Sequence, residues 1–132
     1  MILVDTSVLI DFFKNKSNEA IAKFSDILSR NIPYGINVFI YQELLQGCAS
    51  VKDYNKLKKY LDTQTFYQLH NGKESFAHAA KIYFKCRKAG YTIRSTIDCL
   101  IVQTALENRI ALLHNDSDYS YIAKVIKELM IY

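Results

Sequence analysis

Proline occurs once in this 132-residue chain, glycine four times and cysteine three times. Each scarcity excludes something. So little proline and glycine leaves no room for a long disordered linker. The cysteines, Cys48, Cys86 and Cys99, are odd in number and widely spaced, which suggests neither a disulfide framework nor a zinc knuckle. Cys99 stands in the apolar run "CLIV" and reads as a core residue. No stretch approaches the roughly 18 apolar residues of a membrane span. The opening "MILVDTS" has no basic start, and Asp5 interrupts its apolar run too early for a signal peptide. A soluble cytoplasmic protein is expected. Strong charge is missing too: 17 Lys and Arg against 13 Asp and Glu give +4. That balance permits a polyanionic partner without establishing one. There is no internal repeat or low-complexity tract, and the length predicts a single domain, 1–132.

What is present alternates between short apolar runs and amphipathic stretches. Residues 1–5 read as a buried strand. "DTSVLIDFFK" follows as a helix that Asp5, Thr6 or Ser7 can cap. "NEAIAKFSDILSR" places Ile21, Phe24, Ile27 and Leu28 on one helical face. Tyr34 to Val38 reads as a second strand, passing into a helix with "YQELLQG" and Gly47 near its end. "VKDYNKLKKYLDT" is a basic-faced helix, "TFYQLH" a third strand by its alternation, and "KESFAHAAKIYFKCRKAG" a long helix stopped at Gly90. "STIDCLIVQTALENR" is the most apolar helix, with Ser95 and Asp98 at the spacing of an acidic capping box. "IALLH" is a fourth strand, "YSYIAKVIKEL" a last helix and "LMIY" a short terminal strand. Such alternation predicts an α/β fold with a parallel sheet covered on both faces.

The acids raise the functional question. Asp5 ends the first strand, and Asp116 lies just beyond the fourth. Ligands of open parallel sheets sit outside the carboxyl ends of the strands. Asp98 lies in the first turn of a helix, facing the positive end of its dipole. Glu43 is on the helix after the second strand. Each acid also has an ordinary reading: Asp5 as a helix cap, Asp98 as a capping-box acid, Asp116 as a turn or cap residue, Glu43 as a surface glutamate. As a set they are more informative, because two strand ends and two helices carry acids. Two unit charges about 4 Å apart repel by about 4 kcal/mol at an effective dielectric near 20. A divalent cation reverses that cost, and an all-oxygen site suits Mg²⁺ or Mn²⁺ rather than zinc. His114 ends an apolar strand and reads as structural, as do His70 and His78, which lie in no acidic motif.

"MILVDTSVLIDFF", "YQELLQG", "STIDCLIVQTAL" and "LLHNDSDY", in that order, resemble the motifs of PIN-domain proteins, specifically VapC-type toxins of type II toxin–antitoxin systems. The resemblance spans nearly the whole chain. It implies a Rossmann-like three-layer α/β/α fold with a mainly parallel central sheet. It also implies a Mg²⁺- or Mn²⁺-dependent endoribonuclease leaving 5′-phosphate and 3′-hydroxyl ends. Its acidic quartet maps onto Asp5, Glu43, Asp98 and Asp116. Asp5, Asp98 and Asp116 are the expected metal ligands, with Glu43 and Asp118 as further candidates. Ser7 matches the small hydroxyl residue that helps arrange the first acid. The implied partners are RNA, a VapB-like antitoxin and a second copy of the chain. Apolar and aromatic helix faces include Phe12, Phe13 and Phe24, and some of these are expected to exceed what one small core buries. Arg87, Lys88 and Arg94 are candidates for RNA backbone contacts, or for an ordinary solvated loop around Gly90.

Two departures stand out. Tyr119 stands where the family often has phenylalanine, and "VQTA" replaces a more alanine-rich turn. Both are expected to affect packing without touching an acid. Two other readings compete. A response-regulator-like phosphoacceptor domain also uses strand-end aspartates and Mg²⁺, but it needs a strand-end lysine, and "IALLH" continues into Asn115 and Asp116. A catalytically silent module on the same fold has no need of the complete acidic set.

Overall fold

The computed structural model describes residues 1–132. Four short parallel strands form the central sheet: β1 (Ile2–Val4), β2 (Tyr34–Ile36), β3 (Thr65–Phe66) and β4 (Ala111–Leu113). Their order is β3-β2-β1-β4. Parallel strands cannot be joined by tight hairpins, so helices carry every crossover. These are α1 (Thr6–Phe13), α2 (Glu19–Ser29), α3 (Val38–Gln46), α4 (Val51–Leu61), α5 (Lys73–Lys88) and α6 (Thr96–Asn108), followed by α7 (Ser117–Val125). The outcome is the expected three-layer α/β/α arrangement. No helix is long and apolar enough to cross a membrane.

Chain order reverses at β1, which leads to β2 on one side and lies beside β4 on the other. This is the switch point where an open sheet presents a crevice. β1 is wholly buried, and its register with β4 runs Ile2 to Ala111, Leu3 to Leu112 and Val4 to Leu113. The main-chain amide of Asp5 then donates to Leu113 O at 2.9 Å, so the two strand ends stay in step. The acids that follow them therefore emerge at the same edge.

The second strand is shorter than expected, because Asn37 leaves the sheet to cap α3. Its Oδ1 accepts from the amide of Ile40 at 2.9 Å. Its Nδ2 donates to Thr104 Oγ1 at 3.1 Å, and Thr104 Oγ1 donates in turn to Leu100 O. Asn37 and Thr104 are both buried, so an unsatisfied amide here would be costly. The "VQTA" departure thus fastens the helix that carries Glu43. "TFYQLH" forms only the two-residue β3 at the sheet edge, with one further bond from Tyr67 N to Ile36 O. α7 stops at Val125, short of the expected Leu129, and the chain turns back. A single parallel bridge then sets Ile131 beside Leu112. That bridge is all that forms of the expected terminal strand.

One of the three phenylalanines does stay outside the core. Phe24 is fully buried, and Phe12 packs edge-on against it at 5.0 Å; Phe13 alone of the three is exposed. Gly35 is required by close approach. A Cβ there would lie 2.5 Å from Thr65 O and 2.8 Å from Tyr67 Cε2. Gly35→Ala is expected to push β3 off the sheet and cost about 1–3 kcal/mol, the usual range for overpacking. Thermal melting checks this, and an unchanged midpoint would show that the β2–β3 spacing adapts freely.

Candidate active site

Asp5 is only 4% exposed and serves two purposes at once. It caps α1, accepting at Oδ2 from the amide of Ser7 (2.9 Å) and from Ser7 Oγ (2.6 Å). Ser7 Oγ itself accepts from the amide of Asn115 at 2.9 Å, which ties the end of β1 to the loop after β4. Ser7 therefore holds the Asp5 carboxylate by side chain and main chain. The next residue, Thr6, donates from Oγ1 to Glu43 Oε1 at 3.0 Å and brings α3 to the same edge. Burial raises the pKa of Glu43, and the nearby Asp5 charge adds to the rise, while the Thr6 hydrogen bond opposes it.

Tyr119 overturns one expectation. Its hydroxyl lies 2.7 Å from Asp5 Oδ1 and 3.2 Å from Asp98 Oδ1, in hydrogen-bonding position to both. The tyrosine that stands where the resemblance often has phenylalanine thus touches two acids. The side chain is essentially sealed, at 1% exposure. Burial, then the Asp5 and Asp98 charges, pushes the phenol pKa well above its usual range, so the hydroxyl keeps its proton. It is the single donor between two carboxylates.

Asp98 does not form the expected capping box. Ser95 Oγ accepts from the amide of Ile97 instead, and the Asp98 carboxylate points to Tyr119. Asp98 is 9% exposed. Burial is the largest reason that its pKa is raised to about 7; Asp5, Asp116 and Asp118 add to the rise, and the Tyr119 hydrogen bond opposes it.

Asp116 and Asp118 are joined by Arg94. Its Nη2 donates to Asp116 Oδ1 at 2.8 Å; its Nε and main-chain amide donate to Asp118 Oδ2 at 3.1 and 3.0 Å. Asp116 also caps α7, taking the amide of Asp118 on the same Oδ1. Asp118 is 4% exposed, so its carboxylate depends on these bonds. Sequence reasoning placed Arg94 near the substrate but had no signal for this attachment. His114 is structural, as expected: its Nδ1 accepts from the amide of Asp116, its ring lies against Tyr119, and burial lowers its pKa.

The structure therefore brings Asp5, Glu43, Asp98, Asp116 and Asp118 to the ends of β1 and β4, with Glu43 on Thr6 and the other four in two pairs. Asp5 and Asp98 share Tyr119; Asp116 and Asp118 share Arg94. As the side chains stand, no group of three or more acidic, imidazole or thiol side chains is placed to hold a metal ion. The donors nevertheless suit Mg²⁺ or Mn²⁺. They are hard oxygens, and the charges of Asp5, Asp116 and Asp118, which add to the rise that burial causes in the Asp98 pKa, are ones that a cation would offset.

Known proteins share this fold. Residues 2–125 match the profile of the PIN domain. VapC ribonuclease Mb1587 of Mycobacterium bovis is 29% identical over 126 residues, covering 95% of this chain and 93% of its own. Ribonuclease VapC11 of Mycobacterium tuberculosis is equally similar. Among solved structures, VapBC2 from Rickettsia felis bound to a promoter DNA fragment superposes with a TM-score of 0.72 at 18% identity, covering 100% of this chain and 98% of that one. VapBC-1 from nontypeable Haemophilus influenzae gives 0.71 at 23% identity, covering 100% and 97%. The profile match covers all four strands and every acid of the site, and on that ground the chain belongs to the PIN domain family.

Proposed function

We propose that this chain is a Mg²⁺- or Mn²⁺-dependent endoribonuclease and the toxin of a type II toxin–antitoxin pair. The observation that carries the reading is the pair Asp5 and Asp98, buried on either side of one hydroxyl, with Asp116, Asp118 and Glu43 around it in a PIN domain. Relatives named VapC ribonuclease support the reaction. Structures described as VapBC and as toxin–antitoxin complexes support a VapB-like antitoxin as partner. A homodimer is part of the same proposal.

Asp5, Asp98 and Asp116 would hold the ion, with Asp118 at the margin. When bound, a divalent cation supplies positive charge for phosphodiester oxygens and makes water more acidic. The remaining work falls to the protein. Glu43 keeps Oε1 on Thr6 and leaves Oε2 free, and its raised pKa makes it a better acceptor for the proton of the attacking water. Ser7 and Tyr119 hold Asp5 by both its oxygens. Hydrolysis breaks the P–O3′ bond and leaves 5′-phosphate and 3′-hydroxyl ends.

The phosphoacceptor reading loses ground, because the cation at these acids is a loop arginine hydrogen-bonded to two of them, with no strand-end lysine. A silent module stands or falls by assay. Purified protein is expected to cut structured RNA with Mg²⁺ or Mn²⁺ and to stop with EDTA. Undiminished cleavage in chelator would overturn the mechanism.

A further inference from the structure

We propose that Tyr121, backed by Tyr91, is a stacking platform for an unpaired RNA base beside the acidic site, with Arg94 and Lys124 taking the flanking phosphates. This rests on RNA being the substrate and names the kind of RNA: a single-stranded segment.

The two rings are stacked, with centroids 5.1 Å apart and planes 12° from parallel. Tyr91 comes from the loop between α5 and α6 and is half-buried against the core. Tyr121, on α7, is 37% exposed. One ring is therefore fixed by the fold, and the other rests on it at the surface. Tyr121 is three residues beyond Asp118, so the two share a helix face one turn apart. Arg94 is three residues beyond Tyr91 and reaches back to Asp116 and Asp118. The platform is thus tied to the catalytic acids through both of its tyrosines.

The charge beside it has the sign that a phosphate chain needs. Lys124 Nζ lies over the Tyr121 ring, 5.6 Å from its centroid, so its flexible chain swings off the ring onto a phosphate when a base stacks there. The Arg94 side chain is 70% exposed. Two of its five guanidinium N–H groups serve Asp116 and Asp118, leaving three for a ligand. At the end of α5, Arg87 stands 5.9 Å and Lys88 5.6 Å over the ring of Phe84, which is itself exposed. Cations interleaved with exposed aromatic faces form a single-strand surface: rings stack on bases and cations follow the backbone. Paired RNA does not fit this platform, because its base faces are already covered by neighbours.

The test is fluorescence anisotropy of the full chain with a labelled eight-nucleotide oligouridylate in EDTA, where cleavage is off. Tyr121→Leu is expected to weaken binding by about 10-fold, in line with the loss of one base–aromatic stack. Tyr121→Phe should bind like wild type, and a blunt duplex of equal length should not distinguish the three proteins. In wild type, an oligonucleotide carrying 5-iodouridine should photocrosslink to Tyr121. The crosslink decides the question even if Tyr121→Leu fails to fold. Unchanged binding by a folded Tyr121→Leu, or a crosslink that avoids Tyr121, would remove the platform while leaving RNA cleavage intact. Wild type that neither binds nor cuts RNA would remove both readings.

Discussion

Asp98→Asn is expected to abolish cleavage and yet raise the melting temperature of the protein in chelator at about pH 8. The two effects share one cause. The folded protein holds the Asp98 pKa at about 7 against an ordinary 3.8, mainly by burial and then by Asp5. The folded state therefore binds this proton more tightly than the unfolded chain does. Stability is unaffected below about pH 4, falls between about pH 4 and 7, and stays low above that. The rise from 3.8 to about 7 corresponds to roughly 4 kcal/mol at most. Asparagine is neutral throughout, and its Oδ1 still accepts from Tyr119. What it loses is the helix-dipole contribution of a first-turn carboxylate, about 0.3–1 kcal/mol. The gain is larger than the loss, so the variant should melt higher at about pH 8 and no higher at about pH 4. With Mg²⁺ the order should close or reverse, because an ion that binds only the folded state stabilises wild type by mass action. Cleavage should fall by at least about 100-fold, the upper range for disturbing a metal site. A lower melting temperature at about pH 8 in chelator, with cleavage retained, would make Asp98 a structural cap.

The site was legible where chemistry and chain direction coincide. "MILVD" shows an apolar run meeting an acid, and the structure places that acid at the end of β1. "IALLHND" does the same beyond β4. Both acids are caps as well: the ordinary reading of Asp5 and Asp116 holds, and it leaves both carboxylates at the edge that the functional reading requires. The misses are contacts between distant segments. Arg94 reaches acids 22 and 24 residues away, and no local period announces that. Thr104 holds Asn37 across 67 residues. Tyr119 offered a better clue. A tyrosine on an apolar helix face must satisfy its hydroxyl when buried, and the acids already assigned to the site were the available acceptors. "TFYQLH" misled through its alternation. The pattern marks a half-buried segment, but an edge strand pairs only as far as its neighbour runs, and β2 ends at Ile36.

Tyr119→Phe separates the stabilising task of that hydroxyl from the chemistry. Phenylalanine fills the same volume and keeps the ring against His114. It removes the only donor between Asp5 Oδ1 and Asp98 Oδ1. Two buried carboxylate oxygens then lose the donor they share. In chelator at about pH 8 the loss should be on the order of 3 kcal/mol, above the usual cost of a neutral orphan because the acceptors are charged. The loss should shrink as the pH falls through about 7. Asp98 then takes up a proton of its own, which removes one of the two buried charges. The Tyr119 hydrogen bond lowers the Asp98 pKa, so its removal moves that uptake to still higher pH. A divalent cation should do the same from the other direction. It neutralises both carboxylates, so saturating Mg²⁺ should restore most of the lost stability, and the metal-induced melting shift should be larger in the variant than in wild type. Cleavage at saturating Mg²⁺ should persist, since the resemblance implies that phenylalanine commonly serves at this position. Thermal melts at about pH 5 and about pH 8, with and without Mg²⁺, read the stability side, and RNA cleavage reads the other. Equal melting of the two proteins in chelator at about pH 8 would show that water satisfies the pair without Tyr119. Cleavage lost at saturating Mg²⁺ would move the hydroxyl from the scaffold into the reaction.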